Sequence, residues 1–180
     1  MKSKANTILF HVAFIASIWV VCSIFSKQFA LFAEVYVQPV IPSAIVFSVG
    51  QNKTLLSSIV SLEYADSYYA ISLICLFLSV LMIPLYLYQI RTRGVAGIDA
   101  SQKPAFVFMG FVAASVVFFW HTYLNVDVYG GSDGDFSGIL RPPIGNLFIG
   151  ISTFVFTILF VASVVQAAHR LRSIFGRTRR

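Results

Sequence analysis

Three histidines, two cysteines and one Asp/Gly-rich turn are the places where this sequence carries residue types suited to chemistry. His11 stands near the start of one apolar run and His169 just past the end of another, while His121 lies at the far end of a third. Two histidines at matching depth on facing helices can ligate a haem, so His11 and His169 are the pair to weigh. His169 has a simpler use, because a basic group after a long helix complements the negative end of its dipole. The reading is therefore no cofactor and no metal. The stretch Asp133-Gly134-Asp135-Phe136-Ser137-Gly138 opens like a calcium loop. The bidentate acid such a loop needs at its twelfth position is replaced by Ile144, which leaves a polar turn.

Cys22 and Cys75 both fall inside apolar runs and form no C-x-x-C pair, so neither a redox dithiol nor a zinc knuckle is available. A bridge between them is conceivable, but buried cysteines acting as small apolar residues are the preferred reading. Asn52-Lys53-Thr54 matches the glycosylation pattern, a short motif without meaning in a bacterium. No H-E-x-x-H, P-loop, G-x-G-x-x-G or S-x-x-K occurs. No catalytic residue is assigned.

The elements that would position these groups are apolar helices. The chain is 58% hydrophobic and 11% charged, where a soluble domain carries roughly a quarter charged residues. Four apolar runs cover residues 7–26, 68–90, 106–124 and 147–168. The last has no charge over about 22 residues, so as a helix it covers about 33 Å, enough for a bilayer core. Lys2 and Lys4 precede the first run, yet that run is longer than the core of a signal peptide, and Leu31-Phe32-Ala33 is a poor cleavage site. It is read as a retained span. Within the spans no Asp, Glu, Lys or Arg is expected, which argues against an ion-coupled machine. Their Ser, Thr and Asn side chains are read as helix–helix hydrogen-bonding groups, and Ala13/Ser17 and Gly110/Ala114 as points of close approach.

The expected fold is an all-α integral membrane protein, a four-transmembrane-helix bundle with both termini cytoplasmic, forming one membrane domain over 1–180. Lys2, Lys4, Arg91, Arg93, Lys103, Arg170, Arg172, Arg177, Arg179 and Arg180 fall on one side, ten of the thirteen basic residues. Basic residues beside spans mark the cytoplasmic face, and their position beside lipid also argues against nucleic acid as the partner. Outer loops then cover 27–67 and 125–146, an inner loop 91–105, and a basic tail 169–180. Alignment of Phe10, Ala16 and Ser17 with Phe108, Ala114 and Ser115 hints at duplication no more strongly than shared membrane composition would.

The outer loop 27–67 is the most individual stretch. Phe29, Phe32, Val35 and Tyr36 recur at helical spacing, which suits a short interfacial helix. Pro39 and Pro42 interrupt it, 43–49 is expected to be extended, and Leu55, Ile59 and Leu62 suggest further helical turns. With Ile41, Ile45 and Phe47, the aromatic set forms a candidate partner-binding face. Pro84 in the second span removes one backbone hydrogen bond and is a candidate hinge.

These features point to a small non-enzymatic inner-membrane protein of a bacterium. It acts through protein–protein contacts with another membrane or periplasmic protein, as an accessory subunit or an immunity or exclusion-type protein. The alternative is a transport component using neutral polar residues and the Pro84 kink, and a third is a haem-binding redox protein. The orientation has a direct check. In intact cells, an impermeant maleimide is expected to reach thiols introduced at Ser57 and Ser132 and to miss those at Ser101 and Ser173. External labelling at Ser173 would remove the four-span arrangement.

Overall fold

The computed structural model describes residues 2–59, 61–93, 105–124 and 144–177. Among these every regular element is helical. The long helices are α1 (Lys2–Ile24), α3 (Ser43–Ile59), α4 (Leu62–Leu81), α6 (Ala105–Phe119) and α7 (Ile144–Arg177). Two short helices are α2 (Ser26–Phe32) and α5 (Ile83–Arg93). A π turn (Ala33–Val37) and a 3-10 turn (Gln38–Val40) extend α2, and a second π turn (Trp120–Leu124) ends α6.

Three helices are long and apolar enough to cross a membrane: Leu62–Tyr88, Phe106–Leu124 and Gly145–Arg172. A fourth is added if Ala13–Ile24 and Ser26–Val40, bent by 107° at Phe25, count as one broken span. The bend needs no glycine or proline. Phe25 takes φ −113° and ψ 45°, yet its N–H still donates to the Val21 carbonyl and its carbonyl still accepts from Phe29.

Helix α4 is the axis of the molecule. Every residue from Ala65 to Leu76 is buried, because α1, α2, α3 and α7 all pack against it. The side-chain contacts give the helix directions. Tyr64 and Ser72 on α4 meet Asn146 and Tyr123–Thr153, so α4 and α7 run the same way. Ser67 meets Cys22, and Phe14 meets Phe154, so α1 runs against both. Phe118 stacks on Phe156 while Tyr123 reaches Thr153, so α6 runs against α7.

The 27–67 stretch departs from the expected loop. Residues 43–49 belong to α3 and are not extended. Pro42 stands just before that helix, where its missing N–H is not needed, and its carbonyl accepts from Ile45 and Val46. Ile41, between the 3-10 turn and Pro42, is extended, at φ −99° and ψ 142°. Leu62 starts α4 and does not continue the Leu55/Ile59 face, since Ser61 accepts from Tyr64 and Ala65 and opens the new helix. The second apolar helix therefore begins six residues earlier than the hydropathy suggested, and it carries Glu63 and Asp66 in its first turns.

Gly150 lies where α7 packs against both α1 and α4. A Cβ there would lie 3.4 Å from Cys75 Sγ, 3.5 Å from Ile15 and 3.6 Å from Ile71, ordinary contact distances. A methyl fits and a longer side chain does not. Gly150→Ala is expected to leave thermal stability in detergent within about 1 kcal/mol, while Gly150→Leu should cost about 1–3 kcal/mol by driving α7 from α1 and α4.

Candidate functional site

The most polar part of the described structure lies at the start of α4, under a cap formed by α2, its two irregular turns and α3. Lys53 Nζ on α3 is 2.7 Å from Asp66 Oδ1 on α4. The same ammonium lies 5.0 Å from the centre of the Tyr69 ring, one turn further along α4. The Tyr69 hydroxyl donates to Gln38 Oε1 at 3.2 Å, and Glu34 lies within electrostatic reach of it. Tyr68 is hydrogen-bonded to Asn52, the neighbour of Lys53. The 3-10 turn and α3 of the cap are thus tied to Asp66, Tyr68 and Tyr69 of α4.

Each tie has a local cause. Asn52 and Lys53 follow one another on α3, so one faces the core and the other its rim. Asn52 is buried, as are Val49 and Leu56 one turn to either side. Ser67 Oγ donates to the Cys22 carbonyl at 3.1 Å. That carbonyl lies in the last turn of α1, where backbone acceptors lose their helical partners. Ser67 therefore closes the end of α1 at the bend. Asp66 is 7% exposed and lies in the first turns of the Leu62–Tyr88 helix, ahead of the apolar run that begins at Tyr68.

A second polar tie lies deeper. Tyr123 Oη and Thr153 Oγ1 are 2.6 Å apart, and Tyr123 also reaches the Ser72 carbonyl at 3.4 Å. Thr153 and Thr157 bond back to the carbonyls of Ile149 and Thr153. The helix–helix role expected of the neutral polar residues is met by Thr153 and Asn146, whereas Ser17, Ser79, Ser115 and Thr157 bond back within their own helices.

The proposed partner face is divided. Ile41 is buried in the core, and Phe29 and Ile45 pack against it, so these three are internal. Phe32, Val35, Tyr36 and Phe47 are exposed. Phe32 lies between Phe29 and Tyr36, with ring centres 6.2 and 5.2 Å away. Leu31 and Val40, absent from the expected set, are exposed beside them. Phe47 belongs to α3 and stands apart from this ridge in the sequence of elements.

Pro84 is exposed in the first turn of α5, two residues past a break at Met82. Helical bonding resumes at once, with Met82 donating to Leu78 and Tyr86 donating to Met82, both at 3.0 Å. Cys22 and Cys75 are buried free thiols. Among the described residues, no three His, Cys, Asp or Glu side chains gather to hold a metal. His121 and His169 are exposed. The His11 side chain and the 133–138 turn lie outside what is described.

Comparison with protein-family models, with curated proteins and with solved structures gave no match.

The Lys53–Asp66 pair has a measurable coupling. Asp66 keeps 10% of its side chain exposed and Lys53 31%, so water screens the pair only from one side. Fully exposed pairs contribute under about 1 kcal/mol, and breaking a fully buried one costs about 3–5 kcal/mol. A double-mutant cycle with Lys53→Met and Asp66→Asn, followed by denaturation in detergent, is expected to give roughly 1–2 kcal/mol of coupling. Lys53→Met should be the worse single change, because it strands the more buried partner.

Proposed function

We propose that this chain is a four-span protein of a bacterial inner membrane, with both termini cytoplasmic, that works by contact with another protein and catalyses no reaction. The observation that carries the reading is the ridge Leu31, Phe32, Val35, Tyr36 and Val40. Its large apolar side chains point away from the core on a segment that is itself fixed to α4. Burying one such side chain is worth about 1.5–3 kcal/mol, so a ridge of five favours being covered. The fixed backbone lowers the ordering cost of a contact, as a pre-organised binding surface requires.

The alternating directions of α1, α4, α6 and α7 support the orientation, together with the basic residues beside one set of helix ends. The ties described above give the interior polar groups a structural use, which supports an interaction protein over a transporter.

The test uses a photo-crosslinking residue in place of Tyr36 in native membranes. A discrete protein adduct is expected from Tyr36, lost when Phe32→Asp is added while insertion and abundance are unchanged. The same probe in place of Gln51, on the opposite, polar side of α3, should give none. An adduct unaffected by Phe32→Asp, or equal capture from Gln51, would overturn the reading.

A further inference from the structure

The two halves of the cap are built for different surroundings. In the segment from Ser26 to Val40, the residues turned inward are Ser26, Ala30, Ala33 and Val37, and three of these four are small. The residues turned outward are the large apolar ones of the ridge. Helix α3 has the reverse pattern. Ser48, Val49, Asn52 and Leu56 face inward, while Gln51, Thr54 and Ser58 face outward, and Phe47 is the one large apolar residue exposed among its described side chains. A helix that turns polar residues outward has the pattern of one that meets water. Small residues toward the protein with bulky apolar ones away from it is the pattern of a helix packed in lipid.

Depth agrees. The apolar helix of α4 and α5 extends to Tyr88. Counting back 20 residues at 1.5 Å each, about the 30 Å of a hydrocarbon core, reaches Tyr69. Tyr69 is where Gln38 bonds, and Ser67 is where the end of α1 bonds. The segment therefore leaves α1 at 107° and runs along the boundary of the hydrocarbon. Its charged residues are Lys27 and Glu34, too few for a helix held on a surface by headgroup charge.

We infer that Ser26–Val40 is a membrane-embedded segment lying across the bundle in the outer leaflet, with its ridge in contact with lipid acyl chains, and that α3 lies above it in water. The inference rests on the spanning reading and narrows it: a protein that meets the ridge must itself be embedded in the membrane.

The full-length chain with Trp19→Phe and Trp120→Phe is reconstituted in phosphatidylcholine vesicles, plain or brominated on the acyl chains. Single tryptophans are introduced by Phe32→Trp, by Tyr36→Trp as a second reporter, by Phe47→Trp on α3, and by Val117→Trp on the exposed side of α6. Phe32→Trp and Tyr36→Trp should emit further to the blue than Phe47→Trp, lose most of their emission in brominated vesicles, and resist external iodide. Phe47→Trp should show the opposite sensitivity. Iodide quenching of Phe32→Trp and Tyr36→Trp to the level of Phe47→Trp would put the ridge in water and overturn the inference. Quenching by neither agent would mean that protein covers it, and would overturn it equally. Val117→Trp separates the two levels. If brominated lipid quenches it but neither ridge reporter, only this inference falls; if it is not quenched, the spanning reading falls as well.

Discussion

A helix buried on every side has to find a partner for each polar group it carries, and α4 carries many. Ser67, Tyr68, Tyr69, Ser72 and Asp66 all lie in its buried stretch, and water is excluded from most of them. A buried polar group without a partner costs more than a hydrogen bond contributes. The rest of the molecule is arranged to meet that demand. The end of α1 supplies the Cys22 carbonyl, the cap supplies Gln38, Asn52 and Lys53, and the π turn after α6 supplies Tyr123. Apolar packing alone would allow helices in lipid to slide or rotate, since lipid is as apolar as their surfaces. The polar ties at the head of α4 fix the depth of each neighbour.

This division explains which features were legible in the sequence. The apolar lengths could be read directly, because a span needs about 20 residues and few other structures tolerate such a run. The third helix, Phe106–Leu124, coincides with its expected bounds. The start of the second could not be read from hydropathy. Glu63 and Asp66 lower the average over its first turns, and only the pairing of Asp66 with Lys53, thirteen residues away across a helix break, makes that charge tolerable in a buried position. The same blindness affected the partner face. Residue type and spacing group Phe29, Ile41 and Ile45 with Phe32, Val35, Tyr36 and Phe47. An inward and an outward apolar residue are indistinguishable when one side faces core and the other faces lipid or a partner. The signal that separates them is residue size on the opposite side of the helix, and Ala30 and Ala33 carried it.

Helix α6 shows the consequence of having no such ties over most of its length. Phe106, Met109, Val116, Val117 and Trp120 are exposed, and its packing is chiefly against α7. Gly110 has nothing within 4 Å of where a side chain would start, so its smallness is not used in the packing of this chain. Ser115 is buried, but its hydroxyl bonds back to Phe111 within the same helix and joins nothing to it. What locates α6 is its last turn.

That turn is irregular for a geometric reason. Phe108, Ser115 and Phe119, three of the residues that α6 turns inward, are spaced by seven and then four. At 100° per residue, continuing as an α-helix would carry Tyr123 about 60° away from the line through Phe108. A π turn is wider, and over Trp120–Leu124 it turns the chain less per residue, so Tyr123 stays in line, stacked on Phe119 at 6.0 Å and almost fully buried. Only in that position can its hydroxyl lie between Thr153 of α7 and Ser72 of α4. The π turn at Ala33–Val37 works in the same direction. It keeps Ala33 and Val37 both against α4, and the 3-10 turn that follows starts with Gln38, the residue that reaches Tyr69. Both π turns are thus found where a regular helix would rotate a polar tie out of reach of α4, and the pairing demand of that one helix accounts for departures from regularity in two others.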